Sequence, residues 1–495
     1  MSYLLILKFA APEAILLVTA FAVLAADSVA LREVELCYRL LIGGIISCFG
    51  CVISAGWLLA LPEQGNLAEG MLMANPLVHI VQLALLVLTL FTMLMSVETS
   101  FTEHAGEYFA LVLLAAAGMM FLVAAEDVLM IFISLELTSL SLYILAAFNK
   151  RSPESAEAAL KYFIFGGVSA AFTLFGLSLL YGLSGSTNLG RIAAAIHGPR
   201  LDPLLILAMV MTAAGFGFKV AAAPFHLWAP DVYQGAPTPS AAFIASGSKV
   251  AGFFILAKVM MLGFKGGEGS AALGSWQSGW VPLLAIVATV SMLLGNLAAL
   301  VQTSVRRLLA YSAVAHAGYI LTAVTAHSGA GVASLLYYVL TYALTTLGAF
   351  GVVSIVQDQT GGDRLADFAG LSRRAPVLSA CMMVFMLSLA GIPPLAGFFG
   401  KFYVFSAALG AGKPPLALLW LVILAIALSV VSLYYYLQVL KQIYVAERLP
   451  PVDQAHPAPA RQSAVMLLAL AVLLLGCAPN WLIAHLSAAI GLAGL

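Results

Sequence analysis

Apolar side chains in this chain gather into runs of about twenty residues, separated by short segments rich in Gly, Pro and charge. A membrane-crossing α-helix needs about 20 consecutive apolar residues. On that measure the pattern predicts fourteen spans: 10–28, 40–61, 76–98, 108–126, 127–147, 158–182, 203–228, 240–262, 281–302, 309–326, 330–356, 376–410, 415–441 and 462–480. Runs of this length are not the strands of an outer-membrane barrel, whose short segments alternate apolar and polar faces. The expected fold class is therefore all-α, a polytopic bundle of transmembrane helices. The run at 376–410 is interrupted by Gly391-Ile392-Pro393-Pro394, and reads either as one broken crossing or as a crossing with a re-entrant piece.

Composition agrees with the pattern. Of 495 residues, 62% are hydrophobic and 9% charged, with a mean hydropathy of +1.04, whereas soluble domains carry roughly 25% charge. Too few polar side chains exist to cover a water-facing surface. The longest loops, around 357–375 and 442–461, leave no room for a large soluble domain, and Pro450, Pro451, Pro457 and Pro459 make the second a surface linker. Lys plus Arg and Asp plus Glu both total 22, so net charge is zero and no nucleic-acid partner is expected. Cys48 and Cys51 form a C-x-x-C inside an apolar run, with no His or second pair nearby. They read as small core residues, and no metal site is expected.

The basic residues orient the spans. One set of alternate loops holds twelve: Arg32, Arg39, Lys150, Arg151, Arg306, Arg307, Arg364, Arg373, Arg374, Lys441, Arg448 and Arg461. The other set holds five: Lys8, Arg191, Arg200, Lys265 and Lys413. The excess of Lys and Arg marks the cytoplasmic side, which puts both termini on the outside. Of the 22 basic residues, the remaining five, Lys161, Lys219, Lys249, Lys258 and Lys401, fall inside apolar spans, as does Glu136. A charge at mid-bilayer costs roughly 2.5–3.5 kcal/mol on insertion scales. Such residues mark an ion or proton pathway by default, with a structural ion pair as the plainer explanation. Lys161 and Lys258 lie near span ends and have a second plain explanation, snorkelling to the interface. His316, alone in the tenth span, reads equally as a proton relay or a packed interior imidazole.

Prolines sharpen this pattern. Pro224 removes the hydrogen bond to the carbonyl of Val220, next to Lys219, while Pro393 and Pro394 free Leu389 and Ala390, with Lys401 two turns further on. Broken helices at membrane depth are tolerated only where they face protein or water, and one in each half points to a transporter built from repeats. The expected organisation is 1–107 for helices 1–3, then two inverted five-helix repeats, 108–262 (spans 4–8) and 281–441 (spans 9–13), broken at helices 7 and 12, then 462–495 for helix 14.

The stretch His226-Leu-Trp228-Ala-Pro-Asp231-Val-Tyr-Gln-Gly235-Ala-Pro237-Thr-Pro239, with Lys249 after it, resembles the antiporter-like membrane subunits of proton-pumping NADH–quinone oxidoreductase (respiratory complex I), in the wording of subunit N. Further matches are Glu136 in Ser134-Leu-Glu136-Leu, Lys161-Tyr162-Phe, Leu308-Leu-Ala-Tyr-Ser312 with His316-Ala-Gly-Tyr319, and Gly391-Ile-Pro-Pro394 with Gly397-Phe-Phe-Gly-Lys401. The similarity covers nearly the whole chain. It implies a proton path through Glu136, Lys161, Lys219, Lys249 and Lys401 with His316 as relay, and no role for Lys258. It also implies a bacterial inner-membrane location among other membrane-arm subunits and lipid, with quinone as the substrate of the complex. No cofactor is expected in this chain, because it has no nucleotide loop, cluster-binding cysteine set or haem motif; FMN and Fe–S clusters belong to partner subunits.

The residues permit a mechanism. Burial weakens the preference of a lysine for its charged form, and a neighbouring carboxylate restores it. Two unit charges about 7 Å apart interact by roughly 2.4 kcal/mol at an effective dielectric of 20. Glu136 and Lys219 are expected to pair, with Lys249 the central relay and Lys401 the step to the outer side. Two alternatives remain at this stage: a subunit of a monovalent cation/proton antiporter, against which the Asp231-Val-Tyr-x-Gly wording speaks, or a scaffold whose charges lock helices together.

Overall fold

The structure, a computed structural model, describes residues 8–61, 65–67, 70–99, 101–196, 202–411, 416–447 and 459–493. Helices α1 (Ala11–Ala25, continued by a π-helical turn at Ala26–Ala30), α2 (Leu36–Ala60) and α3 (Pro76–Ser96) come first. They are followed by α4 (Ala105–Ala124), α5 (Val128–Ala146), α6 (Pro153–Ser184), a split helix α7a (Pro203–Lys219) and α7b (Trp228–Gly235), and α8 (Thr238–Lys258). Then come α9 (Trp280–Ala299), α10 (Val305–Thr325), α11 (Gly329–Thr360), a second split helix α12a (Pro376–Ala390) and α12b (Ala396–Gly410), and α13 (Leu419–Tyr444). The chain ends in α14 (Pro459–Cys477) and α15 (Pro479–Ala493).

Twelve of these helices are long and apolar enough to cross a membrane, and the two split helices bring the crossings to the fourteen expected. The interruption at Gly391 makes one broken crossing. Its halves have 15 residues each, about 22 Å apiece, and neither spans a core of about 30 Å alone. Two features depart from the apolar pattern. Pro479 cannot continue α14 and instead opens α15, so the tail expected as one last helix is two. A small antiparallel hairpin, β1 (Gly65–Leu67) and β2 (Leu72–Ala74), caps the α2–α3 connection. Pro450, Pro451 and Pro457 of the linker, and the loop residues Arg200, Lys413 and Arg448, lie outside the described residues.

The two sets of five crossings repeat one plan. The third member of each, α6 and α11, is 32 residues long, starts under a serine cap (Ser152, Ser328) and stops at a left-handed glycine (Gly185, Gly361). The serine hydroxyls accept the amides of Ser155 and Gly331 at 3.2 and 3.1 Å, satisfying donors that a helix start leaves free. The fourth member of each set is the broken one. At the centre stands α8, whose every residue is buried, packed on α11, α3 and α4. The core stretches of α10 and α11 are 94% buried, against 28% for α1 and 33% for α2 and α6. Outward-facing apolar residues such as Phe21, Ile45, Phe163, Ile423 and Val430 form the surface that meets lipid.

The first break follows from Pro224. It has no N–H and its ring collides with the preceding turn, so α7a stops at Lys219, the last residue of the helix rather than its middle. The chain turns through Ala221 at φ +54°, a left-handed conformation for a residue with a Cβ. The Ala222 amide bonds the Gly217 carbonyl at 2.8 Å, and the Ala223 amide bonds Ser291 Oγ on α9 at 2.8 Å. The break is thereby pinned to the second five-helix set. Ala221→Gly is expected to stabilise the purified complex and Ala221→Val to destabilise it, each by about 1 kcal/mol, seen as a raised and a lowered thermal unfolding midpoint. Scanning calorimetry checks the order; equal midpoints for Ala and Val would remove the strain argument.

Candidate functional site

The lone charges of the apolar spans lie in a row through the interior. Glu136, half-buried on α5, and Lys219, buried at the end of α7a, line one cavity of about 20 Å3, room for one water. As the expected pairing requires, each is close enough to act electrostatically on the other, without a direct salt bridge between them. Lys219 Nζ donates to Ser139 Oγ at 3.0 Å, one turn from Glu136. Lys249, fully buried on α8, donates to the Val220 carbonyl at 2.9 Å and the Ala313 carbonyl at 3.1 Å. The carbonyl released by Pro224 is therefore taken by Lys249, not by its sequence neighbour Lys219.

One turn along α10 from Ala313, the buried His316 is held at both ring nitrogens. Nδ1 lies 2.8 Å from Tyr338 Oη on α11 and Nε2 lies 3.1 Å from Tyr436 Oη on α13. Tyr436 in turn bonds Ser312. Lys249 and Lys401 are both close enough to act electrostatically on the imidazole. Lys401, buried on α12b, donates to the Leu389 and Ala390 carbonyls at 3.1 and 2.9 Å and to Ser429 Oγ at 2.8 Å, with the Tyr319 ring centroid at 5.2 Å. These are the two carbonyls that Pro393 and Pro394 free. Cationic groups at the C-terminal ends of helices also meet the negative end of the helix dipole.

Two lysines stand apart from this row. Lys161 is 39% exposed and pairs with Glu157 and Asp231, both at 2.7 Å. Asp231 also binds Arg307 at 2.7 Å, so one carboxylate ties α6, α7b and α10 together. Arg306, counted from sequence as a loop charge, is buried and donates to the carbonyls of Tyr233 and Ala236. Trp228 stacks on Tyr162 at 4.4 Å and donates to the Phe218 carbonyl at 3.0 Å. A Cβ at Gly235 would run into the backbone at Glu154. The Asp231-Val-Tyr-x-Gly wording is thus the packing code of the end where a cavity of about 780 Å3, lined by Glu157, Asp231, Arg307 and Asp363 among others, opens between the two sets. Lys258 does not snorkel to the interface: it is buried, paired with Glu126 at 2.7 Å and bonded to the Ala125 carbonyl at 2.8 Å.

The hydroxyls that link the row, Ser139, Tyr338, Tyr436 and Ser429, were not singled out from sequence, because a lone hydroxyl in an apolar helix usually bonds its own backbone. The pair Asn296–Tyr319, at 3.0 Å and joined by Tyr435 at 3.1 Å, carried a signal in its buried amide. Glu13, 3% exposed on α1, was also missed, since it lies at the very start of its span.

Residues 125–429 match the family described as NADH:quinone oxidoreductase/Mrp antiporter, TM. A relative from Acidobacterium capsulatum named NADH-quinone oxidoreductase subunit N 2 is 53% identical over 97% of this chain and 98% of its own. The chain belongs to the NADH-quinone oxidoreductase subunit N family. Among solved structures, a chain of the respiratory complex I of Thermus thermophilus with bound aureothin superposes with a TM-score of 0.79 at 34% identity, covering 96% of this chain and 99% of that one. A chain of the Mrp complex from a Dietzia species gives a TM-score of 0.81 at 20% identity over 97% of each chain, a likeness of fold alone.

Gly391, which ends α12a at φ +89°, makes room for the lysine: a Cβ there would lie 3.1 Å from Lys401 Cδ and 3.3 Å from its Nζ. Gly391→Ala is expected to destabilise the protein by roughly 1–2 kcal/mol through the left-handed backbone and to displace the Lys401 ammonium from the α12a carbonyls. Thermal unfolding together with the activity of the assembled complex checks this; wild-type values in both would refute it.

Proposed function

We propose that this chain is the membrane-arm subunit of an NADH–quinone oxidoreductase that moves protons along Glu136, Lys219, Lys249, His316 and Lys401. The observation that carries the proposal is the continuity of the row. Glu136 and Lys219 share a water-sized cavity. Lys249 bridges from the break beside Lys219 to α10, and His316 stands between Lys249 and Lys401 with a hydroxyl at each ring nitrogen. Lys249 and Lys401 are held by neutral carbonyls and a hydroxyl, so each can give up its proton without stripping a bonded carboxylate of its partner, while Lys219 keeps Glu136 as its charge partner. Lys161, with Asp231 and Arg307 beside the large cavity, serves as the entry from the cytoplasmic side. Pro224, Pro393 and Pro394 serve by opening the backbone where the ammonium groups sit.

Redox chemistry lies outside this chain: FMN and Fe–S clusters are assigned to partner subunits, and quinone is the substrate of the complex. Its neighbours are the other membrane-arm subunits and lipid, in a bacterial inner membrane. An even number of crossings returns the chain to its starting side, and the twelve-to-five loop charge puts both termini in the periplasm. The division into 1–107, 108–262, 281–441 and 462–495 is retained, the two middle units being read as inverted repeats. Energetically the row is adequate. Moving one charge against 100 mV needs about 2.3 kcal/mol, and one pair interaction over about 7 Å supplies roughly 2.4 kcal/mol.

The test is Lys219→Ala in the assembled complex, with proton uptake in vesicles read against NADH oxidation. Losing that interaction slows the relay step roughly fifty-fold, so fewer protons per NADH are expected. Pumping at wild-type stoichiometry would overturn the role of Lys219. Proton movement that depends on sodium and needs no NADH would point instead to cation/proton exchange. Weakened assembly with intact pumping in the complex that forms would make the charges a scaffold.

A further inference from the structure

The N-terminal helices contain a second arrangement of ionisable groups, away from the row. Glu13 on α1 is 97% buried by its 3% exposure. Its Oε1 accepts from Gln82 Nε2 on α3 at 2.7 Å, and the same Nε2 donates to the Met120 carbonyl on α4 at 3.2 Å. The bond to Met120 fixes the amide with its nitrogen toward Glu13, so Oε1 is an acceptor in either protonation state. The proton, when present, sits on Oε2. That atom is buried and has no hydrogen-bond partner among the described residues, and the same holds for His79 Nε2, one turn before Gln82. Glu13, His79 and Gln82 line one cavity of about 20 Å3 with Ala10, Leu72 and Phe121. A water needs about 10–15 Å3 and two or more polar partners, and the two unpaired atoms supply them.

We infer that Glu13 and His79 form a second proton-binding site, in which the two side chains exchange a proton through one enclosed water. The step balances. Glu13 Oε2–H passes its proton to the water as the water passes one to His79 Nε2, leaving a carboxylate and an imidazolium, and the reverse step restores both neutral groups. The elements packed around the cavity, α1, α3, α4 and the hairpin, offer it no other titratable side chain among the described residues. Lys8 precedes the lining residues Phe9 and Ala10 in the chain, and Glu126 and Lys258 pair at the same end of α4. That end is opposite the one where Asp231 and Arg307 meet, since α8 begins beside the large cavity at Thr238 and ends at Lys258. The site therefore stands at the far end of the bundle from the entry, in a part of the chain that the row does not use.

The inference is independent of the role proposed for the row, because proton binding can be read without turnover. Infrared difference spectra of the purified complex, taken between acid and alkaline buffer, should contain a protonated-carboxyl stretch that shifts in deuterated water and is lost in Glu13→Gln. His79→Phe keeps the Gln82 bond to Glu13 and removes the second proton acceptor. It should move the midpoint of that band by about one pH unit, the scale of one charge interaction over several ångström. A band that survives Glu13→Gln, or a midpoint unmoved by His79→Phe, would overturn the site. If Glu13→Gln fails to assemble, the midpoint in His79→Phe alone decides.

Discussion

Two kinds of group are intolerable in a dry interior: an ammonium without water and a backbone carbonyl without a donor. This protein sets one against the other. Lys249 takes the carbonyl that the Pro224 break releases at Val220, and Lys401 takes the two released before Pro393. Lys258 does the same at the ordinary end of α4, through Val123 and Ala125. Hydrogen bonds involving a charged group contribute about 1.5–3 kcal/mol each, so a break that would be a defect becomes a socket. Removing either party leaves the other exposed, which couples where the helices break to where the lysines stand.

The same constraint shapes the bundle. Sockets need backbone from one helix and side chains from another, and the helices that supply them must approach closely. Small residues in α8 and α10 allow that approach, and both helices are buried almost throughout. The pinning of Ala223 to Ser291 and of Lys249 to Ala313 ties the first five-helix set to the second. The row therefore runs through a single packed interior rather than through two separate halves. At the Asp231 end the polar contacts become more exposed and ionic, as expected where the cavity opens.

Much of this was legible in the sequence because charge is so scarce. Lys219, Lys249 and Lys401 stood out as charges in apolar runs, and the prolines named the carbonyls that would come free. What the sequence could not supply was partnership across the fold. Val220 is adjacent to Lys219 in the chain but bonds Lys249, since a helix end directs its carbonyls along the axis, away from its own side chains. Lys258 looked able to snorkel because it lies near a span end, and only the packing of α4 against α8 joins it to its partner Glu126. Glu13 escaped because proximity to a span end normally signals contact with water. There the hairpin and α3 close over it, a tertiary event with no local trace. The hydroxyls flanking His316 had no signal beyond being polar in apolar helices.

Two helices at the centre, α8 and α10, are also the least hydrophobic of the twelve unbroken crossings. Surrounded by protein, they need not be soluble in lipid, and Lys249, Arg306 and His316 can reside on them. A segment of that kind gains little by entering a bilayer on its own. During synthesis α8 emerges after α3, α4 and α5, and α10 after α9, so each meets helices already waiting to receive it. The order of segments along the chain thus doubles as an order of insertion, with the polar machinery delivered into a hydrophobic shell begun before it.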